Sequence, residues 1–121
     1  NDIEDALINT TDLFATISEL AGNSTSQIHD SRSFIELLTS SNVDTRNYVY
    51  SERGEVGIQD YTIRNATHKY IFFDNGNERF YNLSQDSLEN TNLLNGNQLP
   101  LSDEDSAMKD VLIAELNAIR N

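Results

Sequence analysis

The sequence predicts an α+β fold: a small antiparallel β-sheet of about four strands in a meander, packed against a C-terminal α-helix, with one or two N-terminal helices before it. Three observations carry this. Residues 61–83, YTIRNATHKYIFFDNGNERFYNL, alternate and turn like three consecutive strands; residues 13–21 carry one apolar helical stripe; residues 108–119 carry another.

In chain order, Ala6-Leu7-Ile8 within residues 5–9 is a short apolar run that fits an edge strand or the tail of one begun upstream. Thr10 or Thr11 then caps a helix, with Asp12 in the first turn, where the helix dipole favours an anion. Leu13, Phe14, Ile17, Leu20 and Ala21 share one stripe of what reads as a packing element, and Gly22 stands where a left-handed cap belongs. Residues 23–28 read as polar loop. Residues 31–38 read as a second, short helix with Phe34, Leu37 and Leu38 inward.

NYVYSE, residues 47–52, opens the sheet, with Tyr48 and Tyr50 on one face and Val49 on the other. Arg53-Gly54-Glu55-Val56-Gly57 is expected to be a flexible connection able to reach a neighbouring surface. Tyr61 and Ile63 alternate with Thr62 and Arg64; Asn65-Ala66 interrupts; residues 68–73 form a central strand rich in aromatic and β-branched types. Asn75-Gly76 is a hairpin signal, and residues 78–83 resume with Phe80 and Leu83 as packing residues. Residues 84–100 are ordered coil pinned by Leu93-Leu94. Ser102 caps the last helix, Asp103, Glu104 and Asp105 fill its first turn, Met108, Val111, Leu112, Leu116 and Ile119 cover the sheet, and Arg120 ends it.

Composition excludes several classes of function. The length of 121 residues suits one domain, 1–121, and the net charge of −12, with 20 acids against 8 bases, argues against nucleic acid or an anionic membrane as the main partner. There is no cysteine, so disulfides, thiolate metal sites and a cysteine nucleophile are absent from this stretch. No window is apolar enough to span a membrane. A chain that starts at Asn1 without methionine reads as a piece of something longer.

His29, Asp30 and Ser31 have the residue types of a hydrolytic triad, but adjacent residues cannot hold the three groups in line. His68 has no histidine or acid at ligand spacing, so both histidines read as structural or surface groups. Residues 74–78 lack the spaced acids of a calcium loop, and the run 103–105 is accounted for by helix electrostatics. Four glycosylation-type triplets, at Asn9, Asn23, Asn65 and Asn82, are near the chance number for so much Asn, Ser and Thr. Arg32, Arg46, Arg53 and Arg64 lie near turns and fit ordinary surface ion pairs as well as an anionic ligand.

Three segments in order resemble the C-terminal part of a sulfatase of the alkaline phosphatase superfamily. They are TTDLFATISELAG (10–22), DSRSFIELL (30–38) and the longest, HKYIFF through ERFYNLSQDSLENTNLL (68–94), which is similar to the signature "K-Y-I … E-L-Y-D-L … D-P … E … N-L". Asn82 replaces the usual aspartate, Ser87 the usual proline, and Arg79 a common second acid. The resemblance implies a parent enzyme that hydrolyses sulfate esters with a formylglycine, made from Cys or Ser in a C/S-x-P/A-x-R motif, beside a calcium ion. That motif does not occur here, so the resemblance assigns no catalytic or metal residue and no cofactor to this segment and places the chemistry in a missing N-terminal sulfatase domain.

The segment is then expected to be scaffold that lends a wall to the substrate pocket through Arg53, Arg32 and His29, and by itself inactive. The family's frequent export makes periplasm or exterior compatible addresses. Two other readings fit the same residues: a related phosphodiesterase or phosphonate hydrolase, and an independent binding module of similar design.

Overall fold

A computed structural model describes residues 5–23, 30–39, 46–55 and 58–121. The chain divides into two compact units, Asn1–Asn47 and Tyr48–Asn121.

The second unit holds the sheet. Strands β1 (Val49–Glu55), β2 (Ile58–Arg64), β3 (His68–Phe72) and β4 (Glu78–Asn82) lie in the order β1-β2-β3-β4, every neighbouring pair antiparallel. Register places Tyr50, Ile63, Tyr70 and Phe80 in one row across all four strands. Helix α2 (Asp103–Arg120) covers that row with Leu112 and Leu116. Ile63, Phe80 and Leu112 are fully shut from water, and each such burial stabilises the unit by about 1.5–3 kcal/mol. The meander and its covering helix are as the alternation predicted.

The details depart from expectation in four places of this unit. Residues 53–55 belong to β1, so Arg53 sits in a strand opposite Asp60 and not in a loop. Gly54 is there because the strands approach closely: a Cβ would press on the Ile58 carbonyl, 3.1 Å from its carbon. Within the Asn75-Gly76 pair only Gly76 takes positive φ (81°), and the Gly76 N–H donates to the Phe73 carbonyl at 2.8 Å, the pattern of a three-residue hairpin with a glycine bulge. On α2, Val111 and Ile119 are exposed, and Ile113 joins the expected Met108 against the core.

The coil after β4 is ordered, as expected, and the polar residues of its sequence hold it in place. Asn92 accepts the Phe80 N–H through Oδ1 at 2.9 Å, and the Leu93 N–H donates to the Phe80 carbonyl at 2.9 Å, sealing the outer edge of β4. Lys69 pairs with Glu89 at 2.8 Å, and Asp86 accepts the Thr91 N–H at 2.7 Å. Arg79, where an acid is common, lies 5.3 Å over the Phe73 ring.

In the first unit, residues 5–9 form no strand. Helix α1 (Asp12–Leu20) forms where predicted, but neither threonine caps it through its side chain; Thr11 is the N-cap residue and makes no such bond. Its buried positions are Asp12, Ala15 and Thr16, and Leu13, Phe14, Ile17 and Leu20 of the apolar stripe are exposed. Residues 35–38 make a 3₁₀ turn, Ile35–Leu38, in which Leu38 is exposed where burial was expected. The predicted polar loop 23–28 is described only at Asn23.

Candidate functional site

Of the three residues singled out as substrate contacts, two are described. Arg53 is exposed on β1 and lines an open depression of about 470 Å³ with Glu52, Gly54, Glu55 and Gln59. One guanidinium faces two carboxylates there, so the depression alone gives an anion no net attraction. Glu52 is engaged by the Tyr50 hydroxyl at 2.5 Å, and burial together with that hydrogen bond pushes the Tyr50 phenol up to about 12. Arg32 is exposed and its backbone N–H donates to Asp12 Oδ1 at 2.8 Å. It belongs to the first unit and Arg53 to the second. His29 lies outside the described residues.

The structure assembles two polar clusters that sequence reasoning missed. In the first unit, Arg46 Nε donates to Asp12 Oδ2 at 2.8 Å, and the guanidinium also reaches the Asp30 carbonyl. Burial pushes the Asp12 carboxyl up, but hydrogen bonds from Arg46 and from the backbone N–H groups of Arg32 and Asn9 outweigh it, leaving the pKa below the ordinary 3.8. Ser31 is buried beside them, its Oγ donating to the Thr11 carbonyl at 2.7 Å and accepting from the Ala15 N–H at 3.0 Å. A hydroxyl so occupied is a tie between segments.

In the second unit, His68 is buried, stacks on Phe80 with ring centres 5.4 Å apart, and places Nε2 3.0 Å from Asp105 Oδ1. A carboxylate only accepts, so Nε2 carries the proton, and in the neutral ring Nδ1 takes the Thr67 hydroxyl at 2.9 Å. The order hydroxyl, imidazole, carboxylate is that of an acyl-transfer relay. Here it closes a turn: Asn65 Oδ1 accepts from the N–H groups of Thr67 at 2.9 Å and His68 at 2.7 Å and lies 3.3 Å from the same hydroxyl. Asp105 also receives Asn82 Nδ2 at 3.0 Å and the Ser102 hydroxyl at 2.6 Å, while Ser102 accepts the Asp105 N–H at 3.1 Å and caps α2. No sequence pattern marks the His68 and Asp105 pair, because its members stand 37 positions apart.

No family profile matches the sequence, and no curated protein does. Solved structures do match the fold. BT4656, in complex with its substrate D-glucosamine-2-N,6-O-disulfate, superposes with a TM-score of 0.71 at 20% identity, over 90% of this chain and 23% of its own. A putative sulfatase from Bacteroides thetaiotaomicron VPI-5482 gives 0.71 at 21% identity over 88% of this chain and 23% of that one. The chain shares its fold with one part of these two chains. A third similar structure, BT1596, a 2-O GAG sulfatase, gives 0.67 at 21% identity, over 98% of this chain and 28% of that one. The chain thus spans about a quarter of the first solved chains it matches.

No three His, Cys, Asp or Glu side chains among the described residues converge as metal ligands. The described residues therefore do not fit the calcium ion that the resemblance assigns to the parent, and the sequence holds no motif from which a formylglycine is made. Among the described residues no helix is long and apolar enough to cross a membrane.

Proposed function

We propose that the chain is the C-terminal portion of a sulfatase hydrolysing sulfate esters, in which this portion completes the fold and the ester is cleaved by residues elsewhere in the parent. The observation that carries the reading is the extent of the match: nearly all of this chain superposes on under a third of each sulfatase-like structure. The sequence order of the resemblance, and signature residues Lys69, Glu89 and Asn92 that bond one another's segments, support it. A sulfated amino sugar is the first substrate to try, since BT4656 was solved with one.

The test compares the parent polypeptide with the 121-residue chain in sulfate release from D-glucosamine-2-N,6-O-disulfate with added calcium. Release by the parent alone is expected. Turnover by the short chain would overturn the assignment of chemistry to the missing part, and a parent that cleaves only phosphodiesters would move it to the sister class.

The finer role is that the distal part of the β1 and β2 hairpin, exposed from Ser51 to Glu55, brings Arg53 to the pocket rim, with Arg32 and His29 as further contacts. Sulfate recognition needs a cation that can bond two oxygens at once, which a guanidinium supplies. Replacing Arg53 or Arg32 by alanine in the parent is expected to raise KM about tenfold, the loss of roughly 1.4 kcal/mol from one charge-assisted contact. Unchanged kinetics would remove this role.

A further inference from the structure

The chain holds two Asn-Gly pairs, Asn75-Gly76 and Asn95-Gly96. Asparagine is a thermolabile residue, most of all before glycine, where no side chain hinders attack on its amide by the next backbone nitrogen. Both pairs lie in the unit Tyr48–Asn121, all four residues are exposed, and a Cβ added at either glycine would meet open space. Sequence and access therefore do not separate them, but backbone bonding does. The Gly76 N–H donates to the Phe73 carbonyl at 2.8 Å, inside a hairpin that the Phe73 N–H closes on the Asn77 carbonyl at 2.9 Å. Asn75 Oδ1 is held by the Asn77 N–H at 3.0 Å. For the Gly76 nitrogen to attack, the turn must first open. Gly96 instead leads a 3₁₀ turn, Gly96–Gln98, and the leading N–H of such a turn has no acceptor inside it. It has none elsewhere among the described residues. Asn95 Oδ1 lies 3.3 Å from Asn92 Nδ2, a donor that offsets the charge this oxygen gains when a nucleophile adds to the amide. Asn92 is itself fixed, its Oδ1 accepting the N–H groups of Phe80 and Leu94 at 2.9 and 3.1 Å.

We infer that Asn95 is a site of spontaneous covalent modification, deamidating to aspartate and isoaspartate while Asn75 persists. Hydroxide removes the Gly96 N–H proton, the nitrogen bonds to Asn95 Cγ, and Nδ2 takes up a proton and departs as ammonia, leaving a cyclic imide. Water then splits the imide at one of its nitrogen–carbonyl bonds: cleavage at Cγ gives aspartate, cleavage at the backbone carbonyl gives isoaspartate. The two products act differently on the fold. Aspartate keeps the backbone path and is a stronger acceptor for Asn92 Nδ2. Isoaspartate routes the main chain through Cγ and so inserts a methylene directly after Leu94, which packs on the core beside the Asn92 bond to β4.

The comparison is internal to one unit and independent of any activity of the parent. The parent polypeptide is incubated in warm, mildly alkaline buffer, and the peptides containing residues 75 and 95 are followed by mass spectrometry, with aspartyl and isoaspartyl forms separated by chromatography. Amide loss at Asn95 is expected at least about tenfold faster than at Asn75 in the native protein, the two rates converging in denaturant, where no turn protects Gly76. Equal native rates, or faster loss at Asn75, would overturn the inference. Gly96→Ala, at a position with room for the methyl, is expected to slow the loss at residue 95 about tenfold and to leave Asn75 unchanged. A rate at residue 95 indifferent to that change, or aspartate formed without isoaspartate, would mean direct hydrolysis of the side chain and would overturn the imide route.

Discussion

His68 on β3 and Asp105 in the first turn of α2 are joined by a 3.0 Å contact between Nε2 and Oδ1, and this contact fixes where the helix starts on the sheet. Asn82, the register partner of His68, donates to the same carboxylate oxygen. One acid at the helix start therefore fastens two adjacent strands.

This carboxylate makes the sheet unit acid-sensitive. Burial pushes the Asp105 carboxyl up, but hydrogen bonds from Ser102, His68 and Asn82 and the charge of His68 outweigh it, so the folded pKa lies below 3.8. A group with a depressed folded pKa gives stability that is present above its unfolded value and lost as pH falls through the folded one. Thermal unfolding followed from pH 6 down to pH 2 should show this loss below about pH 4. Asp105→Asn should flatten that limb of the curve and lower stability at neutral pH by roughly 1–2 kcal/mol.

Asn82→Asp, which restores the residue common in the resembled signature, should destabilise this chain. It would replace a 3.0 Å amide contact by a second carboxylate facing Asp105. Urea unfolding at pH 7 should register a cost of about 1–2 kcal/mol, shrinking as pH drops and one acid protonates.

Arg46→Ala would leave the Asp12 carboxylate, with a side chain 3% exposed, without its cation. Removing one member of a buried pair costs roughly 3 kcal/mol, far more than losing both in favour of apolar groups. Proteolysis rates within the first unit should rise for Arg46→Ala and for Asp12→Ala, and the double variant should be no worse than either alone.

Gly54→Ala would drive a methyl against the Ile58 carbonyl, 3.1 Å from its carbon and 3.2 Å from the Gln59 Cα. Backbone cannot rotate away as a side chain can, so the hairpin should lose about 1–3 kcal/mol. Faster amide exchange confined to the β1 and β2 ladder is the measurement.

The meander was legible because its signals are local: alternation at Tyr61 to Arg64 and a glycine at the turn need no distant partner. The start of α2 at Ser102 was legible for the same reason. Arg53 was misplaced because glycine at 54 was taken for a loop marker, when its cause is the backbone of the facing strand. Periodicity located the stripe of α1 but not what lies against it, and Leu13, Phe14, Ile17 and Leu20 are exposed. The pairs of Asp12 with Arg46 and His68 with Asp105 span 34 and 37 positions, a separation over which one sequence carries no signal.

The sealed flank of β4 has a consequence for self-association. With Asn92 and Leu93 already bonded to Phe80, the backbone at the middle of β4 is not free to pair with a further strand. A strand from a second molecule would have to displace those bonds before it could pair with β4, so growth of the sheet along this flank is disfavoured.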